Sequence, residues 1–234
     1  MDAGLLPALS LGFLFGLQHA TDPDHVVAVA TIVSRTRRFD AGALVGAFWG
    51  IGHTATIATV GMAIIVFNVT VSPAIGLSME LAVALMLMLM ALGIVRVVRS
   101  LRERDGLAQA CPGGAKGIRS VLDTVGRAQA ARSIGIGLVH GLAGSAAVAL
   151  LVLSTVRSPY AAVAYLLLFG LGTIVGMTAI TALLSLPFTT PLPALSWALA
   201  MGTGVLSFGF GLYLTVQIGF VDGLLLGHTL SIPR

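Results

Sequence analysis

The chain has 234 residues, 57% of them hydrophobic and only 9% charged, with a formal net charge of +4. A soluble domain carries roughly 25% charged residues, and a bilayer-spanning helix needs about 20 apolar ones, so this composition describes an all-α, polytopic membrane protein and no soluble enzyme. The basic excess lies between apolar segments, where it reports topology and not nucleic-acid binding; the single cysteine, Cys111, excludes an intrachain disulfide or a Cys-x-x-Cys site.

The first apolar segment runs from Gly4 to Ser34 and is followed by Arg35, Arg37 and Arg38. Residues 1–4 carry no basic region and no cleavage motif precedes residue 18, so a signal peptide is not expected. The second segment is Ala41–Phe67, the third Ala74–Val98. A long polar stretch, Arg99–Arg132, separates these from segment four, Ser133–Val156, segment five, Tyr160–Leu186, and segment six, Ala194–Phe220. Six spans alternate sides of the membrane. One set of loops holds Arg35, Arg37, Arg38, Arg96, Arg99, Arg102, Arg104, Lys116, Arg119, Arg127 and Arg132, the other only Arg157 and Arg234. The basic side is expected to be cytoplasmic, which puts both termini outside the cytoplasm.

The halves resemble each other. Gly16-Leu17-Gln18-His19-Ala20 aligns with Gly137-Leu138-Val139-His140-Gly141 at an offset of 121, and Gly50-Ile51-Gly52-His53-Thr54 with Gly170-Leu171-Gly172-Thr173-Ile174 at 120. Three spans per half is an odd number, so the second half enters the membrane upside down. The expected organisation is a first three-helix repeat over 1–98, a basic cytoplasmic loop over 99–132 and a second repeat over 133–234. Inverted repeats of this kind are a transporter signature, with the substrate site near the midplane where the halves meet.

The chemistry concentrates in segment one, in Gln18-His19-Ala20-Thr21-Asp22-Pro23-Asp24-His25. Ionisable groups inside a span are costly and mark function. On a regular helix, positions five and six residues after His19 are rotated by about 140° and 240°, so His19, Asp24 and His25 could not share an ion. Pro23 breaks the helix: it lacks an N–H for the carbonyl of His19 and its ring clashes there. Across a break the three side chains can converge on a divalent metal, the freed carbonyl being open to an ion or water. Two readings stay open for Asp22, a cap on the second half-helix or a group in the path. His53 lies at a depth similar to His25 and is a candidate further ligand. His140, the repeat partner of His19, is a candidate ligand, gate or proton relay. Ser145 and Thr173 fall opposite Asp24 and His53, where interhelical hydrogen bonding is the simpler role. Imidazole and carboxylate donors without thiolate favour a divalent first-row metal and argue against Cu(I).

His19-x4-Asp24-His25 resembles the His-x4-Asp-His signature of the nickel/cobalt transporter family, and Trp49-Gly50-Ile51-Gly52-His53-Thr54 is similar to that family's Gly-His-Ser/Thr stretch. His140-Gly141-Leu142-Ala143-Gly144-Ser145-Ala146 resembles its short, urease accessory protein H-like members. The resemblance implies a permease of the cytoplasmic membrane that recognises Ni(II) or Co(II) as cargo through His19, Asp24 and His25, then His53. It also implies an indirect link to a nickel enzyme such as urease, and no catalytic activity or resident cofactor. No Gly-x4-Gly-Lys-Ser/Thr motif for an ATPase occurs. Rival readings are a metal or small-solute exporter on the same scaffold and a non-transporting accessory that delivers metal to urease.

Overall fold

The computed structural model describes residues 5–34, 38–67, 72–104, 126–143, 159–189 and 193–225. Among the described residues every regular element is helical: α1 (Leu5–His19), α2 (Pro23–Val33), α3 (Phe39–Phe67), α4 (Pro73–Arg104), α5 (126–143), α6 (Pro159–Ser185) with a 3-10 turn at Leu186–Thr189, and α7 (Pro193–Val216) closing in a π turn at Gln217–Val221. Helices suit such a sequence because they satisfy their own backbone polar groups where no water can. Four of them open on a proline, whose missing N–H is no loss in a first turn. At α3, Asp40 caps the start instead: its carboxylate accepts the Ala41 N–H at 2.8 Å and pairs with Arg38. Hydrogen bonding and charge from this carboxylate raise the already high pKa of the exposed Arg38 guanidinium further.

Among the described residues four helices are long and apolar enough to cross a membrane, at Phe39–Ile64, Pro73–Gly93, Tyr160–Thr189 and Leu195–Val221. The first apolar segment forms two short helices, α1 and α2, with the chain turning at residues 20–22. The polar stretch expected over 99–132 is helical at both ends, α4 running on to Arg104 and α5 starting before Arg127. Residues 105–125 of that stretch, and the end of segment four, lie outside the described residues.

The short helix α2 occupies the centre. Ala28, Val29 and Val33 are fully buried, with Val27, Thr31 and Ile32 nearly so. They join a core with Val45 and Trp49 of α3, Val83 and Leu87 of α4, and Met177 of α6. A helix apolar all round belongs inside a structure, and this one leaves its polar N-terminal end, Asp24 and His25, facing the break.

Around α2 the helices meet at glycines, and the contacts come in pairs. A Cβ on Gly16 would run into the carbonyl of Phe169, and one on Gly137 into the carbonyl of Trp49. Gly172 lies on the carbonyl of Phe13, and Gly52 on that of Ile134. Gly50 faces Ile174 while Gly170 faces Thr54; Gly176 faces Ala20 while Gly141 faces Thr56. In each pair one contact becomes the other when 120 or 121 is added to the residue in the first half and subtracted from that in the second. The same spacing relates Ser207 of α7 to Leu87 of α4, whose carbonyl accepts the Ser207 hydroxyl at 3.0 Å.

Because backbone, not flexible side chain, fills the space beside Gly16 and Gly137, Gly16→Ala and Gly137→Ala should each destabilise the protein by about 1–3 kcal/mol, the usual cost of overpacking. Gly202 and Gly209 face open space, so Gly202→Ala and Gly209→Ala should leave stability unchanged. Thermal melting of the purified protein in detergent reads the difference, and equal melting of all four variants would refute the contact scheme.

Candidate metal centre

The turn between α1 and α2 satisfies its own backbone. The carbonyl of Gly16 accepts Ala20 N–H at 3.2 Å, that of Gln18 accepts Thr21 N–H at 2.8 Å, and that of His19 accepts Asp22 N–H at 3.1 Å. The expectation that Pro23 would free the His19 carbonyl for an ion is therefore corrected: a tighter turn supplies the missing donor. Pro23 is the first residue of α2, and what the break exposes is side chains.

Asp22 stands at the N-cap position of α2, but its side chain makes no cap hydrogen bond. Its carboxylate takes the Nδ1 of His19 at 2.7 Å instead. That contact turns the other nitrogen of His19 inward, where Nε2 lies 3.1 Å from Nε2 of His53 on α3. On the α2 side, Asp24 uses both oxygens: one is 3.1 Å from Nδ1 of His25, the other 2.9 Å from Nε2 of His140 on α5. The chain thus brings His19, Asp24, His25, His53 and His140 together from four helices. Ring centroids of His25 stand 4.7 Å from His19, 4.9 Å from His53 and 4.4 Å from His140.

Burial makes this arrangement chemically specific. His25, His53 and His140 are at most 2% exposed. Yet Nε2 of His25, Nδ1 of His53 and Nδ1 of His140 have no hydrogen-bond partner. Buried polar atoms are nearly always paired, because desolvation without a partner is costly. Three unpaired imidazole nitrogens in one cluster leave donor atoms over for a ligand, and imidazole with carboxylate suits a divalent first-row ion. Donor atoms of His19, His25 and His53 lie within 4.8 Å of one another, as do those of Asp24, His25 and His140.

Thr173 stands apart. It is fully buried, but its hydroxyl donates to the Phe169 carbonyl of its own helix at 2.9 Å. Ser145 lies outside the described residues. Two aromatic residues to which the sequence reading gave no role wall the cluster. Trp49 stacks on His25 at 5.8 Å and meets His140 edge-on at 5.4 Å; Phe169 lies 5.4 Å from His19. Trp49 and Phe169 are 120 residues apart, and the repeat offset alone could have singled them out.

The chain is 37% identical over 227 residues to a protein named urease accessory protein UreH from Bacillus sp. (strain TB-90), an alignment covering 94% of this chain and 95% of that one. No protein-family model and no solved structure matches.

Asp22 orients His19 without facing the other donors. Replacing such a supporting carboxylate usually weakens metal binding about 10–100-fold. Asp22→Asn should therefore lower the affinity of the purified protein for a divalent first-row ion by that factor in a calorimetric titration. Undiminished affinity would remove Asp22 from the site.

Proposed function

The chain belongs to the family of the urease accessory protein UreH, and we propose that it is a secondary transporter, a permease that carries Ni(II), with Co(II) as the alternative cargo, into the cell across the cytoplasmic membrane. The single observation that carries this reading is the cluster of His19, Asp24, His25, His53 and His140 at a helix break, with three of its histidines buried and each of those three holding an unpaired nitrogen. Structural histidines in an apolar interior are paired; these offer more donors than the protein uses. The relative's name links it to urease, and a nickel supply is the contribution that this site chemistry would make to such an enzyme.

The paired glycine contacts support two inverted repeats. When contact i to j is mirrored by contact j to i between equivalent positions, the two parts are related by a two-fold axis. With three spans in each half, that axis lies in the membrane plane, as in other inverted-repeat carriers. The loop charges put the basic ends in the cytoplasm and both termini outside. Transport then follows by alternating access. The ion sheds water as imidazoles and the Asp24 carboxylate replace it, and the halves rock about the glycine contacts to expose the cluster to one side and then the other.

Radioactive nickel uptake into cells lacking other nickel carriers tests the reading, with membrane abundance measured for each variant. The wild type should accumulate nickel, and His19→Ala, Asp24→Asn and His25→Ala should reduce uptake to background. Metal binding with no flux would favour the accessory reading; no accumulation of nickel or cobalt would sink the permease. Imidazole binds metal only when unprotonated. With the driving force held constant, uptake into vesicles should therefore weaken as pH falls through the histidine range; uptake unchanged between mildly acidic and neutral pH would contradict histidine ligation.

A further inference from the structure

The five donors do not surround one point. His25 belongs to both three-donor groups, whereas the rings of His53 and His140 stand 6.2 Å apart and share no group. The two nitrogens of His25 divide accordingly. Nδ1 faces Asp24 at 3.1 Å, and Nε2, without a partner, is left for the side where His19 and His53 meet.

One member of each group is related to the other by the repeat. His19 and His140 occupy equivalent positions, one in each group. Each lies against the aromatic residue of the opposite half, His19 on Phe169 and His140 on Trp49, with ring centroids 5.4 Å apart in both cases. A two-fold axis in the membrane plane sends mates to opposite faces. The chain passes His19 before His25 on its way from α1 to α2, so the His19 group faces the side from which α1 enters.

Building on the permease reading above, we propose that the cluster is two overlapping half-sites, His19–His25–His53 toward the outside and Asp24–His25–His140 toward the cytoplasm, between which one divalent ion is handed with His25 as the ligand common to both. The ion never returns to water between them. The outer half-site has only imidazole donors; the inner adds the Asp24 carboxylate, which a doubly charged ion moving inward meets second. The unpaired Nδ1 atoms of His53 and His140 give each half-site a donor for this exchange after a ring turn.

Co(II) reports its own ligand set by visible absorption, so the full-length protein in lipid nanodiscs can be titrated with Co(II). The wild type, His53→Gln and His140→Gln should each bind one ion. The two variants should give different spectra, because each traps the ion in the half-site left intact, and both should lose uptake. His25→Gln, with His25→Ala as a second variant, should lose more than about 100-fold in affinity, beyond the effect of removing a supporting group. If His53→Gln and His140→Gln bind as poorly as the His25 variants, or share one spectrum, the site is single and the half-sites are wrong while transport stands. If the wild type binds neither Co(II) nor Ni(II), the metal reading fails and the half-sites with it.

Discussion

Gly16 against the carbonyl of Phe169 and Gly137 against the carbonyl of Trp49 set the distances on which the rest of the molecule depends. In lipid there is no hydrophobic drive between helices, so they hold together by close contact, and close contact needs small residues. These two contacts fix where α1 lies on α6 and α5 on α3. His19 sits three residues beyond Gly16 and His140 three beyond Gly137, so the same contacts decide how far each histidine reaches into the interior. A separation of 3.1 Å between His19 and His53 survives only if the backbones stay touching.

The interior that results is selective about which polar groups it leaves unsatisfied. Several hydroxyls deal with their own burial: Thr173, Thr178 and Thr215 each donate to the carbonyl four residues earlier on the same helix. An imidazole is too long and too rigid to turn back in this way, so a histidine directed inward must find a partner on another element. Asp22 and Asp24 supply some of those partners from the break, and three nitrogens remain over. The equivalence of His53 with Thr173 therefore matters. At this offset-related pair one position carries a donor that reaches another element and the other a self-contained hydroxyl.

Much of the scaffold could be read from residue order. Apolar length predicts α6 at Tyr160–Leu186, and the helix is Pro159–Ser185; a proline inside segment one predicts a break, and the helices part at residues 20–22. The short offset matches at His19/His140 and Gly50/Gly170 anticipate contacts that the folded chain makes in pairs. The sequence also singled out the five side chains that converge. What could not be read depends on three-dimensional closure. The turn that satisfies the His19 carbonyl is a local choice among several compatible with Pro23. Trp49 and Phe169 carry one sequence signal, their 120-residue offset, but that they wall the imidazoles shows only in the folded chain. The helical ends of the 99–132 stretch were hidden by arginines, whose charge counts against a span in composition but not in a helix end that reaches water.

The break between α1 and α2 divides the first apolar segment unequally. Helices of 15 and 11 residues measure about 22 and 16 Å at 1.5 Å per residue, against a hydrocarbon thickness of about 30 Å. Neither piece is long enough to cross the bilayer alone, and on the permease reading the break between them would lie within the membrane's electric field. Moving one elementary charge through that field involves about 2.3 kcal/mol per 100 mV. On the permease reading, a doubly charged cargo would involve about twice that figure, and an electrically negative cell interior would favour its entry.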